Sequence, residues 1–229
     1  MKIGIICAGD SEAAPFLDAV QNCSVSEKAL LKFYSGLIES IPVVALFSGV
    51  GKVNAAIAAQ ILIDTYNCDT IINAGTAGGM APHIKLFDTI ICTESAYWDV
   101  SEDILTDFHP WTKSIFWQAD KPLLQTMRNI ISQKNIPNVY FGIMITGEMF
   151  IEEQYRNQIN QKFSPLCVDM ETASIAHVCY VNQIPYLSVR TITDTEEHAG
   201  IETFDLNCEK ASRISFHIVR LLLQEISRK

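Results

Sequence analysis

Acidic residues at three places in this chain could carry chemistry. Asp169 and Glu171 lie in Val168-Asp169-Met170-Glu171-Thr172-Ala173, where a helix opens, and Asp194 closes the run Arg190-Thr191-Ile192-Thr193-Asp194. Glu12 follows the apolar run Ile3 to Ala8 through the turn Gly9-Asp10-Ser11. A carboxyl emerging from a buried strand, as Asp194 would, is desolvated; its pKa rises and it can donate a proton near neutrality. A helix or turn cap is the other reading of the same residue. Glu171 could accept hydrogen bonds from the vicinal hydroxyls of a sugar, or simply be an acid placed favourably on a helix dipole. Glu12 stands in the first strand-to-helix turn, where a carboxylate repels phosphate and suits a base that activates water, although a first-turn helix acid looks the same. Together these groups suggest acid and base chemistry on one small molecule.

Such groups need a frame to converge. Short runs rich in Ile and Val recur at Ile3–Ala8, Val43–Phe47, Thr70–Asn73, Thr89–Cys92, Tyr140–Ile145 and Tyr186–Thr191, and several read as strands buried on both faces. Helical spacing covers Val53–Tyr66, Lys121–Gln133, Glu171–Val181 and Asp205–Ser227. The alternation predicts an α/β fold, one three-layer domain over residues 1–229 with a central twisted mixed sheet flanked by helices. Ligands of such sheets collect beyond the carboxyl ends of strands. That rule selects Gly9 to Glu12, Ser48 to Gly51, Ala74 to Gly79, Gly147 to Ile151, Asp169 to Glu171, and Thr193-Asp194. The segment Ala74-Gly75-Thr76-Ala77-Gly78-Gly79 reads as a glycine-rich turn whose backbone could approach a ligand; it matches neither a P-loop nor G-x-G-x-x-G. Residues 96–111, acidic and aromatic together, read as one long irregular stretch: a lid, an oligomer contact or a packed loop.

Composition narrows the function classes. With 229 residues, 48% hydrophobic and 19% charged, the chain can bury a substantial core. A net charge of -9 opposes a nucleic-acid partner, which clustered Lys and Arg would hold. No signal-peptide pattern and no membrane-spanning run is present, so a cytoplasmic protein without a membrane partner is expected. Seven cysteines are scattered without the close pairs of zinc or redox motifs, and they read as reduced core residues; no metal or cofactor is expected. The first arginine is Arg128, so the early loops offer no guanidinium to an anion and a phosphate co-substrate is not expected.

Taken in order, the segments Met1 to Ile6 with Glu12, Ser48 to Val53, Ile72 to Gly79, Gly147 to Ile151, Val168 to Ala173, Ile175 to Val178 and Val189 to Asp194 resemble the 5′-methylthioadenosine/S-adenosylhomocysteine nucleosidases of the purine nucleoside phosphorylase superfamily. The resemblance covers nearly the whole chain. It implies hydrolysis of an adenine nucleoside, with Glu12 as the base positioning water beside Thr76 and Arg190, and Asp194 protonating N7 of adenine. Glu171 would bind the ribose hydroxyls with Met170 packed beside the sugar. Phe150 would stack near the purine, the Ile151 backbone would read its edge, and Phe204 would close the alkylthio end. Thr76, Ala77 and Gly78, Asp169 and Thr193 belong to the implied binding set. Thr76 and Thr193 stand where serine is usual, Asp169 where glutamate is, and Gly9 where a bulkier residue is, which could widen the pocket near the 5′ group. Trp98 to Glu102 departs from a His-Asp-containing stretch whose following loop reaches a neighbouring subunit. A homodimer is implied. The alternatives are a phosphate-dependent purine nucleoside phosphorylase and a non-catalytic adenine-nucleoside-binding protein.

Overall fold

The apolar runs that carry the expected chemistry become adjacent strands. The computed structural model describes residues 1–108, 112–149, 151, 153–198 and 201–228. Its elements run β1 (Ile3–Cys7), α1 (Asp10–Ala19), β2 (Gln21–Lys28), β3 (Leu31–Ile38), β4 (Ile41–Phe47), α2 (Lys52–Asp64), β5 (Thr70–Gly79), β6 (Thr89–Tyr97) and α3 (Glu102–Thr106). They continue through β7 (Trp117–Gln118), α4 (Lys121–Lys134), β8 (Val139–Thr146), α5 (Glu153–Phe163), β9 (Cys167–Asp169), α6 (Thr172–Asn182), β10 (Tyr186–Asp194) and α7 (Ile201–Ile226).

The sheet is mixed, in the order β10-β6-β8-β9-β5-β1-β4-β3-β2. Because β10 also pairs with β5 in parallel, the five strands β5, β9, β8, β6 and β10 close into a ring, and β1, β4, β3 and β2 extend from it as an open sheet. Helices α1 and α7 pack together against β4, β5 and β10; α2 and α6 pack together against β1, β6 and β8. The mixed sheet flanked by helices is the expected architecture. Its central strands β1, β5 and β10 are almost wholly buried, as continuous apolar runs require. In the main core Ile3, Ile5, Leu62, Ile71, Ile72, Leu187 and Leu222 are fully buried.

Two expectations need correction, and one element is new. Ala74 to Gly79 is not a turn: β5 runs through it to Gly79, with Gly75 opposite Arg190, Thr76 opposite Thr191 and Ala77 opposite Ile192 on β10. Ladder pairing between two buried strands outweighs the entropy that glycine loses in a strand. Residues 96–111 are not uniformly irregular, because Ala96 and Tyr97 end β6 and Glu102–Thr106 forms α3; residues 109–111 lie outside the described set. The hairpin β2–β3 was not anticipated at all. Every residue of β2 is exposed at the sheet edge, so its sequence, QNCSVSEK, carries no buried face to show as alternation. No helix among the described residues is long and apolar enough to cross a membrane.

Candidate active site

Arg190, 1% exposed at the middle of β10, draws the site together. Its Nη2 donates to Glu171 Oε2 at 3.1 Å and Asn73 Oδ1 at 3.2 Å, and lies 2.9 Å from Asp169 Oδ2. Its Nη1 donates to the Thr76 carbonyl at 3.1 Å and lies 3.5 Å from Glu12 Oε1. Burial alone would favour the neutral guanidine; the carboxylates of Asp169, Glu12 and Glu171 outweigh it and push the pKa of Arg190 further up. One guanidinium therefore faces three buried carboxylates, and negative charge is in excess. The Nε–H of Arg190 is buried without a partner.

Glu12 closes the first helix and is fixed against β5 at the same time. On the third residue of α1, its Oε2 accepts the Ala8 and Gly9 amides at 2.8 and 3.1 Å, closing the helix N-terminus. Its Oε1 accepts the Thr76 amide at 2.6 Å and the Thr76 hydroxyl at 2.7 Å, which fixes it against β5. Gly75 makes that approach feasible, since it has φ +155° and a Cβ there would stand 2.7 Å from Glu12 Oε2. The Gly75 amide donates to Ser215 Oγ on α7 at 3.2 Å, and that hydroxyl donates to the Val189 carbonyl at 3.0 Å, locking β5 to β10 behind the carboxylate.

Asp169 and Glu171, two residues apart, divide the work that either could have done. Asp169 closes the N-terminus of α6: its Oδ1 accepts the Glu171 and Thr172 amides at 3.3 and 3.1 Å and the Thr146 hydroxyl at 2.6 Å. The Thr172 hydroxyl donates to its Oδ2. Both oxygens are thus engaged by protein. Glu171 makes no side-chain cap; its Oε1 reaches the Gly51 amide at the N-terminus of α2, 2.9 Å away. Burial pushes its pKa up to about 7 against the pull of Arg190, and the charges of Asp169 and Glu12 add to the rise.

Asp194 leaves β10 through an irregularity. The pairing of β10 with β5 shifts register between Ile192 and Asp194, so that Asp194 stands opposite Gly78. A bulge of this kind re-aims the side chain after it. A Cβ on Gly78 would lie 2.9 Å from Asp194 Oδ2, so the absent side chain leaves room for the carboxyl. Thr193 Oγ1 donates to Asp194 Oδ1 at 2.9 Å. Burial raises the pKa of Asp194, while the Thr193 hydrogen bond and the Arg156 charge hold it back.

Of the remaining expected residues, Ala77 is buried in β5, Met170 is half-buried between β9 and α6, and Phe204 is half-buried in the first turn of α7, which begins at Ile201. The Ile151 side chain packs beside Met80, Ile145 and Phe163. Phe150 lies outside the described residues. A Cβ on Gly9 would meet nothing within 4 Å, so space is open above the first turn. One participant was not singled out in sequence. Asn73, fully buried, orients Arg190 and donates to Thr172 Oγ1 at 2.8 Å and Ser188 Oγ at 3.2 Å. Its signal was available: it is the one amide side chain in an otherwise apolar strand run. Gly51, in the selected Ser48 to Gly51 segment, contributes its backbone amide, a contact that side-chain types do not advertise.

Comparison with known proteins bears on this geometry. Residues 2–224 match the family model of the phosphorylase superfamily. The chain is 31% identical to a 5′-methylthioadenosine/S-adenosylhomocysteine nucleosidase of Buchnera aphidicola subsp. Schizaphis graminum, over 99% of this chain and 98% of that one. It is also 31% identical to the nucleosidase of the same name from Anoxybacillus flavithermus, over 100% of both. The solved nucleosidase from S. pneumoniae, with the transition-state inhibitor MT-ImmA, superposes with a TM-score of 0.90 at 29% identity, covering 99% of this chain and 100% of that one.

Proposed function

Since this chain belongs to the phosphorylase superfamily and, within it, to the 5′-methylthioadenosine/S-adenosylhomocysteine nucleosidases, we propose a division of labour among its buried acids for hydrolysis of those nucleosides. The reaction breaks the bond between C1′ of the ribose and N9 of adenine, with the electron pair leaving on the base. Asp194, whose carboxyl burial keeps protonated to higher pH, gives its proton to N7 and neutralises that developing charge. Positive charge builds on the ribose as the bond stretches. Water adds to C1′ and passes a proton to Glu12, which Thr76 and the α1 N-terminus hold in place. Adenine and the 5′-thio-substituted ribose are the products. Glu171 accepts the ribose hydroxyls beside Met170, Phe204 borders the 5′ group, Ile151 meets the edge of the base and Phe150 its face.

The observation that carries this reading is the excess of buried carboxylate around Arg190. Three acids facing one guanidinium favour a cationic ribosyl transition state and disfavour a phosphate dianion as nucleophile. The guanidinium is already committed to protein partners. Incubating the purified protein with methylthioadenosine and with adenosylhomocysteine, with and without phosphate, tests it: free adenine without phosphate is expected. Strict phosphate dependence would establish the phosphorylase alternative, and binding without any adenine release the non-catalytic one.

The same reading includes a homodimer. Helices α2 and α6, packed side by side, leave Val53, Ile57, Tyr180 and Val181 exposed, an apolar face that a second copy would cover. A mass of twice 25.5 kDa by light scattering is the expected result. It also includes a cytoplasmic location, which seven free cysteines, six of them buried, support, and a part in methionine salvage, which the 5′-thio-substituted ribose product would enter.

A further inference from the structure

Lys52, Asp99 and Glu148 close a ring of contacts beside the groups just described. The Lys52 ammonium lies 2.8 and 2.9 Å from the two Asp99 carboxylate oxygens, above the Tyr97 ring at 5.1 Å from its centroid. Asp99 Oδ2 also accepts the backbone N–H of Glu148 at 2.9 Å. Glu148 Oε1 in turn accepts the backbone N–H of Lys52 at 2.8 Å. The three residues come from three places in the fold: the first position of α2, the segment after β6, and the segment after β8. The ion pair is well shielded, with side-chain exposures of 18% and 16%.

Each end of this ring adjoins a group with a role in binding. Gly51, immediately before Lys52, donates its amide to Glu171 Oε1 at 2.9 Å. Ser174 of α6 donates its hydroxyl to the Lys52 carbonyl at 2.6 Å, so the start of α2 is also tied to the helix that Glu171 precedes. Glu148 is three residues before Ile151, the residue assigned to the edge of the base. Two carboxylates, Glu148 and Glu171, thus sit on successive amides at the positive end of α2, where the helix dipole favours them. A shielded charge pair in a ring of four hydrogen bonds holds backbone more firmly than an exposed ion pair can.

We propose that Lys52, Asp99 and Glu148 form a positioning clamp, which holds the backbone at Glu148, three residues before Ile151, in register with the sugar-holding Glu171 and so sets the affinity of the site for adenine. The proposal rests on the nucleosidase reading. The three side chains act through the backbone of Glu148 and Lys52, whose N–H groups the two carboxylates accept.

The inhibition constant of free adenine tests the clamp, because adenine occupies only the base end of the site and its constant does not depend on the fraction of enzyme that is folded. Lys52→Met and Asp99→Asn should each raise it about tenfold, and the double variant should raise it no further, since all three break one link. Lys52→Arg, which preserves the charge, should return it to within about threefold of the unaltered enzyme. An unchanged adenine constant in both single variants, or additive rises in the double variant, overturns the clamp. An unaltered protein that neither releases nor binds adenine overturns the nucleosidase reading instead.

Discussion

Gly75 makes room for Glu12. At φ +155° its backbone occupies a region that side chains avoid, and a Cβ built there falls 2.6 Å from the Glu12 carboxyl carbon. Gly75→Ala must therefore displace the carboxylate or distort β5 beside Arg190. Because small misplacements of a catalytic group are costly, kcat should fall by about 10²-fold while the KM for nucleoside changes little. Steady-state kinetics with methylthioadenosine check this, and a variant with near-normal kcat would show that Glu12 need not sit where the structure holds it.

The Thr193 hydroxyl tunes Asp194. It donates to the Asp194 carboxylate at 2.9 Å and so favours the charged form, opposing the upward push of burial. Removing it in Thr193→Ala raises the pKa of Asp194 further, and the acid stays protonated to higher pH. The alkaline limb of the kcat profile should move upward in that variant. Asp194→Asn should instead lose the acid altogether, about 10²–10⁴-fold in kcat. A limb that stays put or moves downward in Thr193→Ala would assign it to another group.

Arg190 is as much a structural residue as a site residue. Replacing it with Met leaves Glu12, Asp169 and Glu171 buried around an uncharged side chain, at a cost of about 3–5 kcal/mol. Arg190→Lys should recover little, because a single ammonium cannot span Thr76, Asn73 and Glu171 as the two-nitrogen fork does. Urea unfolding measures both, and a loss below about 1 kcal/mol in the Met variant would show that the carboxylates find other partners.

What the sequence disclosed follows from how each feature is encoded. The apolar runs of β1, β5 and β10 announced themselves because both faces are buried, and Glu12, Glu171 and Asp194 stood out as acids at the ends of such runs. Spacing alone left cap and site open for Asp169 and Glu171. Only the coordinates show Asp169 engaged by the α6 amides and Glu171 directed away from its own helix to Gly51. The extension of β5 through Gly75 and Gly78 was hidden for the opposite reason: both glycines accommodate carboxylates from elsewhere in the chain, Glu12 and Asp194. A glycine records the absence of a side chain, and the sequence does not say what fills the space. The exposed edge strand β2 leaves no apolar signature, and the Lys52–Asp99 pair joins residues 47 positions apart that no local pattern connects.

Glu171 should make the enzyme less stable as pH rises. Its pKa of about 7 in the folded protein lies above the ordinary 4.5, chiefly because burial penalises its charge. Between these values the folded state keeps a proton that the unfolded chain releases, so stability declines as pH climbs through that window and the decline is complete above it. Glu171→Gln removes the titration while keeping an oxygen for the Gly51 amide. Below pH 4.5 the variant and the parent should melt alike, since Glu171 is then protonated in both states. At pH 8 the variant should be the more stable by on the order of 2 kcal/mol, about 4–8 °C in melting temperature, although it turns over nucleoside poorly. A protein that gains stability by losing the carboxylate proposed to hold the sugar is one in which the site holds that charge against the preference of the fold. Melting curves for the pair at pH 5 and pH 8 decide the matter: a difference that does not grow with pH would mean that Arg190 fully compensates the buried charge.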